Sequence, residues 1–275
     1  MNSTKQRKQA VQLLTAVGIV VLLVFGAFAY KKVTRPNVGK DNCLYEDKAL
    51  IRKESSEQTI VVVDQSEALS VSHKRQVKDI LLDYFADEGQ LPIRASVVFY
   101  AFGKNDFSPA GAGQTLQPVV QLCRPPTTGN EVFENKRKLE RTFRDQFVIP
   151  LYETLDRSLD VSLGERSPIL EMLQYISRTQ DIKESSFKSK KKTLILVSDL
   201  LQHSSVISHY KGAAYQDFLK SASMLKSDLR GWSVRILYLQ RYGKDQALQN
   251  RQLDEFWMRY FQDAGAKIER MARLP

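Results

Sequence analysis

The sequence predicts an α/β fold: a doubly wound, mostly parallel sheet with helices on both faces, one antiparallel edge strand, and a transmembrane helix ahead of it. Three observations carry this expectation. Ile60 to Val63 form an uninterrupted run of β-branched residues, which suits a central strand buried on both faces. A second run, Thr193 to Val197, repeats the pattern far along the chain, and both runs end at a carboxylate. Elsewhere, segments with apolar residues at helical spacing alternate with strand-like segments, the pattern of a parallel sheet covered on both faces.

The amino terminus comes first. Gln9 to Tyr30 is 22 residues without a charge, against the roughly 20 that a helix needs to cross a bilayer core. Lys8 on one side and Lys31-Lys32 on the other would lie at the interfaces, with Tyr30 as an aromatic anchor. Ala27-Phe28-Ala29 has the small-x-small form of a signal-peptide cleavage site. The apolar core is longer than the roughly 7–15 residues of such a peptide, so a retained anchor is the reading. The expected division is a cytoplasmic tail over residues 1–9, a transmembrane anchor over 10–30, a basic stalk over 31–56 and the α/β domain over 57–275. Basic residues flank the span almost equally. The short leading tail favours a cytoplasmic amino terminus with the domain outside, periplasmic or extracellular.

The formal charge of +10 belongs to that flank. Residues 1–40 hold seven of the 41 Lys and Arg residues and no acid, leaving 34 basic against 31 acidic residues in the remainder. Nucleic-acid binding is therefore not expected. Cys43 and Cys123 would allow one bridge in an oxidising compartment, and two thiols in a reduced domain are equally ordinary. No Cys-x-x-Cys or clustered His spacing suggests zinc.

Along the domain, Val77, Ile80, Leu81, Tyr84 and Phe85 predict a helix from His73 to about Phe85, stopped near Gly89. Arg94 to Phe102 reads as a strand, 103–118 as a connecting loop, and Val119 to Cys123 as a short antiparallel edge strand stopped by Pro125-Pro126. Asn130 to about Leu159 reads as a helix that Pro150 should kink or divide. Ser167 suits an N-cap and Pro168 the first position of the next helix. After the strand at Thr193, a helix over Tyr215–Leu229 closed by Gly231, a strand over Ser233–Leu239 and a helix over Leu253–Phe261 are expected. Lys267–Leu274 is expected to form a final edge strand.

The candidate site lies where the buried strands end. Asp64 and Ser66 follow the first strand, Ser167 opens a later helix, and Asp199 follows the strand at Thr193. Open α/β sheets bind ligands at their carboxyl edge. No Gly-x-Gly-x-x-Gly follows the first strand, and an acid stands where a pyrophosphate would need backbone donors, so a dinucleotide site is excluded. Asp64 and Asp199 also suit turns, and Ser167 suits a cap, with no ligand at all. His203 and His209 read as surface loop residues, and His73 as part of a first helical turn.

Asp64-Gln65-Ser66, Ser167 and Asp199, in this order of elements, resemble a von Willebrand factor type A (vWA) domain. Members of that family build an adhesion-type metal site from Asp-x-Ser-x-Ser, a Thr on a second loop and an Asp on a third. Here Ala68 replaces the last Ser of the first motif, and Ser167 supplies the hydroxyl where Thr is usual. The resemblance implies Mg²⁺, Mn²⁺ or Ca²⁺ held by Asp64, Ser66, Ser167 and Asp199, with Glu67 or Glu171 as substitutes for the missing hydroxyl. It also implies a partner protein offering an acidic side chain to the ion, and no enzymatic turnover. Two further readings are a metal-free structural subunit of a membrane complex and, from another class, a metal-dependent phosphoesterase using Asp64 and Asp199. The latter would want more acidic or His ligands.

Overall fold

The computed structural model describes residues 17–27, 37–45, 55, 57–103, 118–128, 135–162, 164, 166–179 and 191–275. The chain forms two compact units, Met1–Asn37 and Val38–Pro275. In the first unit residues 17–27 are helical, and the apolar side chains from Val17 to Phe25 are exposed. The rest of the 10–30 anchor prediction lies outside the described residues. Among the described residues, no helix is long and apolar enough to cross a membrane.

Among the described residues, the second unit is built on one sheet of six strands: β1 (Glu57–Asp64), β2 (Ser96–Phe102), β3 (Val120–Cys123), β4 (Lys191–Ser198), β5 (Trp232–Leu239) and β6 (Lys267–Leu274). Their order across the sheet is β3-β2-β1-β4-β5-β6. All neighbours are parallel except β2 and β3, which are antiparallel as the closely spaced strand signals predicted. The order reverses between β1 and β4, so the carboxyl ends of those two strands flank the crevice of an open sheet.

Alternation along the strands divides the core into two layers. Ile60, Val62, Leu194, Leu196, Val234 and Ile236 face α4 (Ile169–Arg178) and α5 (Arg251–Asp263). Val61, Val63, Val97, Phe99, Ile195 and Val197 face α1 (Val71–Ala86) and α3 (Ile149–Asp160). The strand Ile60–Val63 is fully buried, as its unbroken apolar run required.

Helix α1 starts two residues before the predicted His73, because Ser70 is its N-cap: the Ser70 hydroxyl accepts the His73 N–H at 3.0 Å. At its other end, buried Arg124 donates to the Phe85 and Ala86 carbonyls at 2.5 and 3.0 Å, which satisfies groups that the helix cannot. Strand β2 starts at Ser96 and not Arg94, since Arg94 has a φ of 69° and sits in a turn.

Pro150 neither kinks nor breaks its helix alone. The helix α2 (Lys136–Phe143) passes through a π-helical turn at Arg144–Val148 before α3 begins. Pro150 has no N–H to offer the preceding turn. The carbonyl of Gln146, four residues earlier, accepts instead from Asn42 Nδ2 at 3.3 Å. That contact is part of how residues 38–45 attach to the domain. Cys43 and Cys123 are joined by a disulfide, and the Cys123 N–H donates to the Asp41 carbonyl at 2.8 Å.

Two helix expectations need correction. The helix predicted over 215–229 is only a broken series of turns: α-helical at Tyr215–Asp217, π at Phe218–Ala222 and 3-10 at Ser223–Leu225. Its polar residues find tertiary partners, with the Ser227 hydroxyl 2.7 Å from the Tyr260 phenol. Ser167 is not the N-cap of α4; Pro168 holds that position and supplies no side-chain cap. Gln202, fully buried, takes over: its Oε1 accepts the Leu170 N–H at 2.9 Å and its Nε2 donates to Glu171 at 2.9 Å.

Candidate functional site

Asp64, the last residue of β1, and Asp199, just after β4, lie at the strand-order reversal, and both are almost wholly buried. Each folds its carboxylate back onto the backbone two residues ahead. Asp64 Oδ1 accepts the Ser66 N–H at 3.0 Å, and Asp199 Oδ1 accepts the Leu201 N–H at 2.9 Å. The turn after β4 is tight because Leu200 has a φ of 63°, a region that disfavours branched residues. Two bonds hold it there: Leu200 N–H to Ser198 Oγ at 2.9 Å, and Trp257 Nε1–H to the Leu200 carbonyl at 2.8 Å.

Two hydroxyls converge on Asp64 Oδ2, that of Ser167 at 2.6 Å and that of Ser198 at 2.8 Å. Ser167 is held in place by a pair of backbone bonds with His203, at 3.0 and 2.8 Å. The structure thus brings Asp64, Ser66, Ser167 and Asp199 to one place, 103 residues apart in sequence for the Asp64–Ser167 pair.

Asp199 has a partner that sequence reading missed. Arg241, two residues beyond β5, donates Nε–H to Asp199 Oδ2 at 2.7 Å and Nη1–H to Glu67 at 2.7 Å. Gln249 braces it, accepting the Arg241 N–H at 2.6 Å while donating to the carbonyls of Asp199 at 3.0 Å and Leu239 at 2.8 Å. The signal was available in position: Arg241-Tyr242 follows a parallel strand just as Asp64 and Asp199 do. Glu171, suggested as a substitute ligand, bonds Gln202 instead.

The electrostatics follow from this geometry. Burial, and then the neighbouring Asp199, push the Asp64 carboxyl up to about 6, against the pull of the Ser167 and Ser66 donors. Burial works to discharge Arg241, but Asp199 and Glu67 outweigh it and hold its guanidinium charged. His209 is a correction to the surface-loop expectation. It is buried against Phe256 and Trp257, and its Nδ1 accepts the Gln202 N–H at 3.1 Å. Burial drives it down to about 4, so it is a neutral core histidine. His73, in the first turn of α1 as expected, is buried too, with Nε2 3.1 Å from the Leu274 carbonyl.

The rim of the site is apolar and aromatic. Val71 is 84% exposed and Tyr242 68% exposed, with the Tyr242 ring stacked at 6.5 Å on His73. Tyr210 packs edge-on to His203 at 5.2 Å and reaches Glu67 at 3.4 Å.

As they stand, these residues do not fit a divalent ion. Both oxygens of Asp64 carry protein donors, and the Ser167 hydroxyl is one of them. Asp199 has a guanidinium on one oxygen and an N–H on the other. Ala68 has no oxygen to add. An ion would have to displace Arg241 from Asp199 and face its charge.

No family model matches the chain, and no curated protein sequence matches it. Seventy-two chains of solved structures match it, and two of them follow. Proximal thread matrix protein 1 from the mussel byssus is 12% identical, with 76% of this chain and 47% of that one covered and a TM-score of 0.34. An aerotolerance-related membrane protein from Bacteroides fragilis is 12% identical, with 79% and 91% covered and a TM-score of 0.36. Likeness at that level is loose and says nothing about what this chain does.

Proposed function

We propose that the domain is a vWA-like module that binds another protein at the carboxyl edge of its sheet. Residues 10–30 would hold it at a membrane, amino terminus in the cytoplasm and domain outside. The observation that carries this reading is the arrangement at the strand-order reversal, where a closed polar centre is ringed by exposed Val71, Tyr242 and Tyr210. Aromatic side chains around a largely shielded Arg have the composition of an interface hot spot. The disulfide between Cys43 and Cys123 supports an oxidising compartment for the domain.

Turnover is disfavoured by the same geometry. The Ser167 and Ser198 hydroxyls both donate to Asp64, and Asp199 is neutralised by Arg241, so each candidate catalytic group is engaged within the fold. Of the two forms of the reading, with and without a bridging ion, the Arg241–Asp199 pair favours the ion-free one. Tagged full-length chain, solubilised in detergent from its own membranes, tests the proposal against the Val71→Asp/Tyr242→Ala variant. A partner retained by the parent and lost from a folded variant supports the edge as the binding face. An identical set of retained proteins from both would refute it.

A further inference from the structure

We infer that Arg241 is a built-in replacement for a divalent ion: its guanidinium sets a positive charge against buried Asp199, beside Asp64 at the strand-order reversal, and so makes the site indifferent to metal. Three features of the site support this. First, Arg241 is 12% exposed and bonds an aspartate that is 2% exposed, so the pair is shielded from solvent in a way surface ion pairs are not. Second, the guanidinium is held on both sides, by Asp199 at 2.7 Å and Glu67 at 2.7 Å, and its own backbone is fixed by Gln249. Third, the residue that would have completed an oxygen cage is Ala68, and the neighbouring Glu67 carboxylate is turned to Arg241.

The charges explain why one device excludes the other. Mg²⁺ requires close to six oxygens and keeps waters where the protein supplies few. Here the Asp199 oxygen that would face the ion is already 2.7 Å from a cation. Bringing a divalent ion to it would put two cations against one carboxylate. Taking Arg241 away removes that conflict and leaves Asp64, Ser66, Ser167 and Asp199 together with uncompensated negative charge. Those are the conditions under which an ion binds. The inference does not depend on the protein-binding reading, because it concerns only how the site is neutralised.

The test is thermal unfolding of the detergent-solubilised full chain in EDTA and in millimolar Mg²⁺, Mn²⁺ or Ca²⁺, for the parent, Arg241→Gln, Arg241→Lys and Asp64→Asn. The parent is expected to unfold at the same temperature in all conditions, to within about 1 °C. Arg241→Gln should unfold about 10 °C lower in EDTA, since breaking a buried pair strands a charge and a domain of this size shifts by roughly 2–4 °C for each kcal/mol. Millimolar ion should recover about 5 °C or more of that loss. Arg241→Lys, which keeps the charge without the planar fork, should lie between and stay indifferent to ions. A parent that is stabilised by ions, with the effect lost in Asp64→Asn, would overturn the inference. So would Arg241→Gln that matches the parent in EDTA, or that stays low at every ion concentration. Mn²⁺ binding to the parent, followed by electron paramagnetic resonance, decides the case should Arg241→Gln fail to fold: bound Mn²⁺ sensitive to Asp64→Asn overturns the inference, and none supports it.

Discussion

Removing the Cys43–Cys123 bridge should cost the domain a large part of its stability. The two cysteines are 80 residues apart in sequence. In the chain-entropy model, releasing a loop of that length returns about 4.5 kcal/mol of conformational freedom to the unfolded chain at 25 °C. Both sulfurs are buried, at 0% and 2% exposure, so serine replacements would add the separate cost of burying hydroxyls. Cys43→Ala/Cys123→Ala is the cleaner perturbation. At roughly 2–4 °C per kcal/mol for a domain of this size, the double variant should unfold about 9–18 °C below the parent. The bridge also fastens residues 38–45, whose Asn42 amide takes the Gln146 carbonyl that Pro150 leaves without an N–H. Amide hydrogen exchange should therefore rise around Gln146 in the variant. The assay is urea unfolding followed by circular dichroism, with the parent measured before and after reduction. A double variant within about 1 kcal/mol of the oxidised parent would refute the reasoning. Labelling of thiols in intact cells checks the compartment: cysteines that react only after reductant agree with a domain outside the cytoplasm.

Four further outcomes are expected. Gln202→Ala removes the side chain that caps α4 and supports Glu171, and should cost about 2 kcal/mol by chemical unfolding, against near neutrality for an exposed glutamine such as Gln252. His209 should remain neutral in an NMR titration until the pH nears 4, because burial penalises its charged form, and protonation would also break its bond from the Gln202 N–H. The unfolded chain takes that proton near 6.5, so His209 lowers stability as the pH falls from about 6.5 to 4, by up to roughly 3 kcal/mol. Asp64 acts oppositely: with its carboxyl raised to about 6, it contributes stability at low pH that is lost as the pH rises through that value. The comparison of parent with His209→Gln isolates the histidine, and an unchanged pH slope would contradict its assignment. Arg124→Met should destabilise by about 2–3 kcal/mol through the uncapped Phe85 and Ala86 carbonyls, measured by the same unfolding assay.

Much of the sheet was legible because its signals are local. A β-branched run such as Ile60–Val63 states its own burial, and alternating strand and helix segments leave few topologies open. The meeting of Asp64, Ser167 and Asp199 was expected from element order together with the resemblance of three short motifs to a vWA domain. What escaped depended on partners distant in sequence. Ser167 has every local mark of an N-cap, yet its hydroxyl turns to Asp64 across 103 residues, and the cap passes to Gln202. His209 looks like a loop residue until Phe256 and Trp257 close over it. Arg241 carries no motif, and its position just past a parallel strand gains meaning only with Asp199 2.7 Å away. The π turn at Arg144–Val148 is also silent in the sequence, since Pro150 announces a disturbance without saying what form relieves it.

The most direct test of the carboxyl edge as a recognition surface is site-specific photocrosslinking of the full chain in its own membranes. A photoreactive residue at Tyr242, 68% exposed at the site's rim, is compared with one at Tyr152, 42% exposed on α3. Each is irradiated with and without EDTA. A discrete crosslinked protein from position 242, equally strong under chelation and absent from position 152, is the expected result. A partner captured from position 152 and not from 242 would contradict the account.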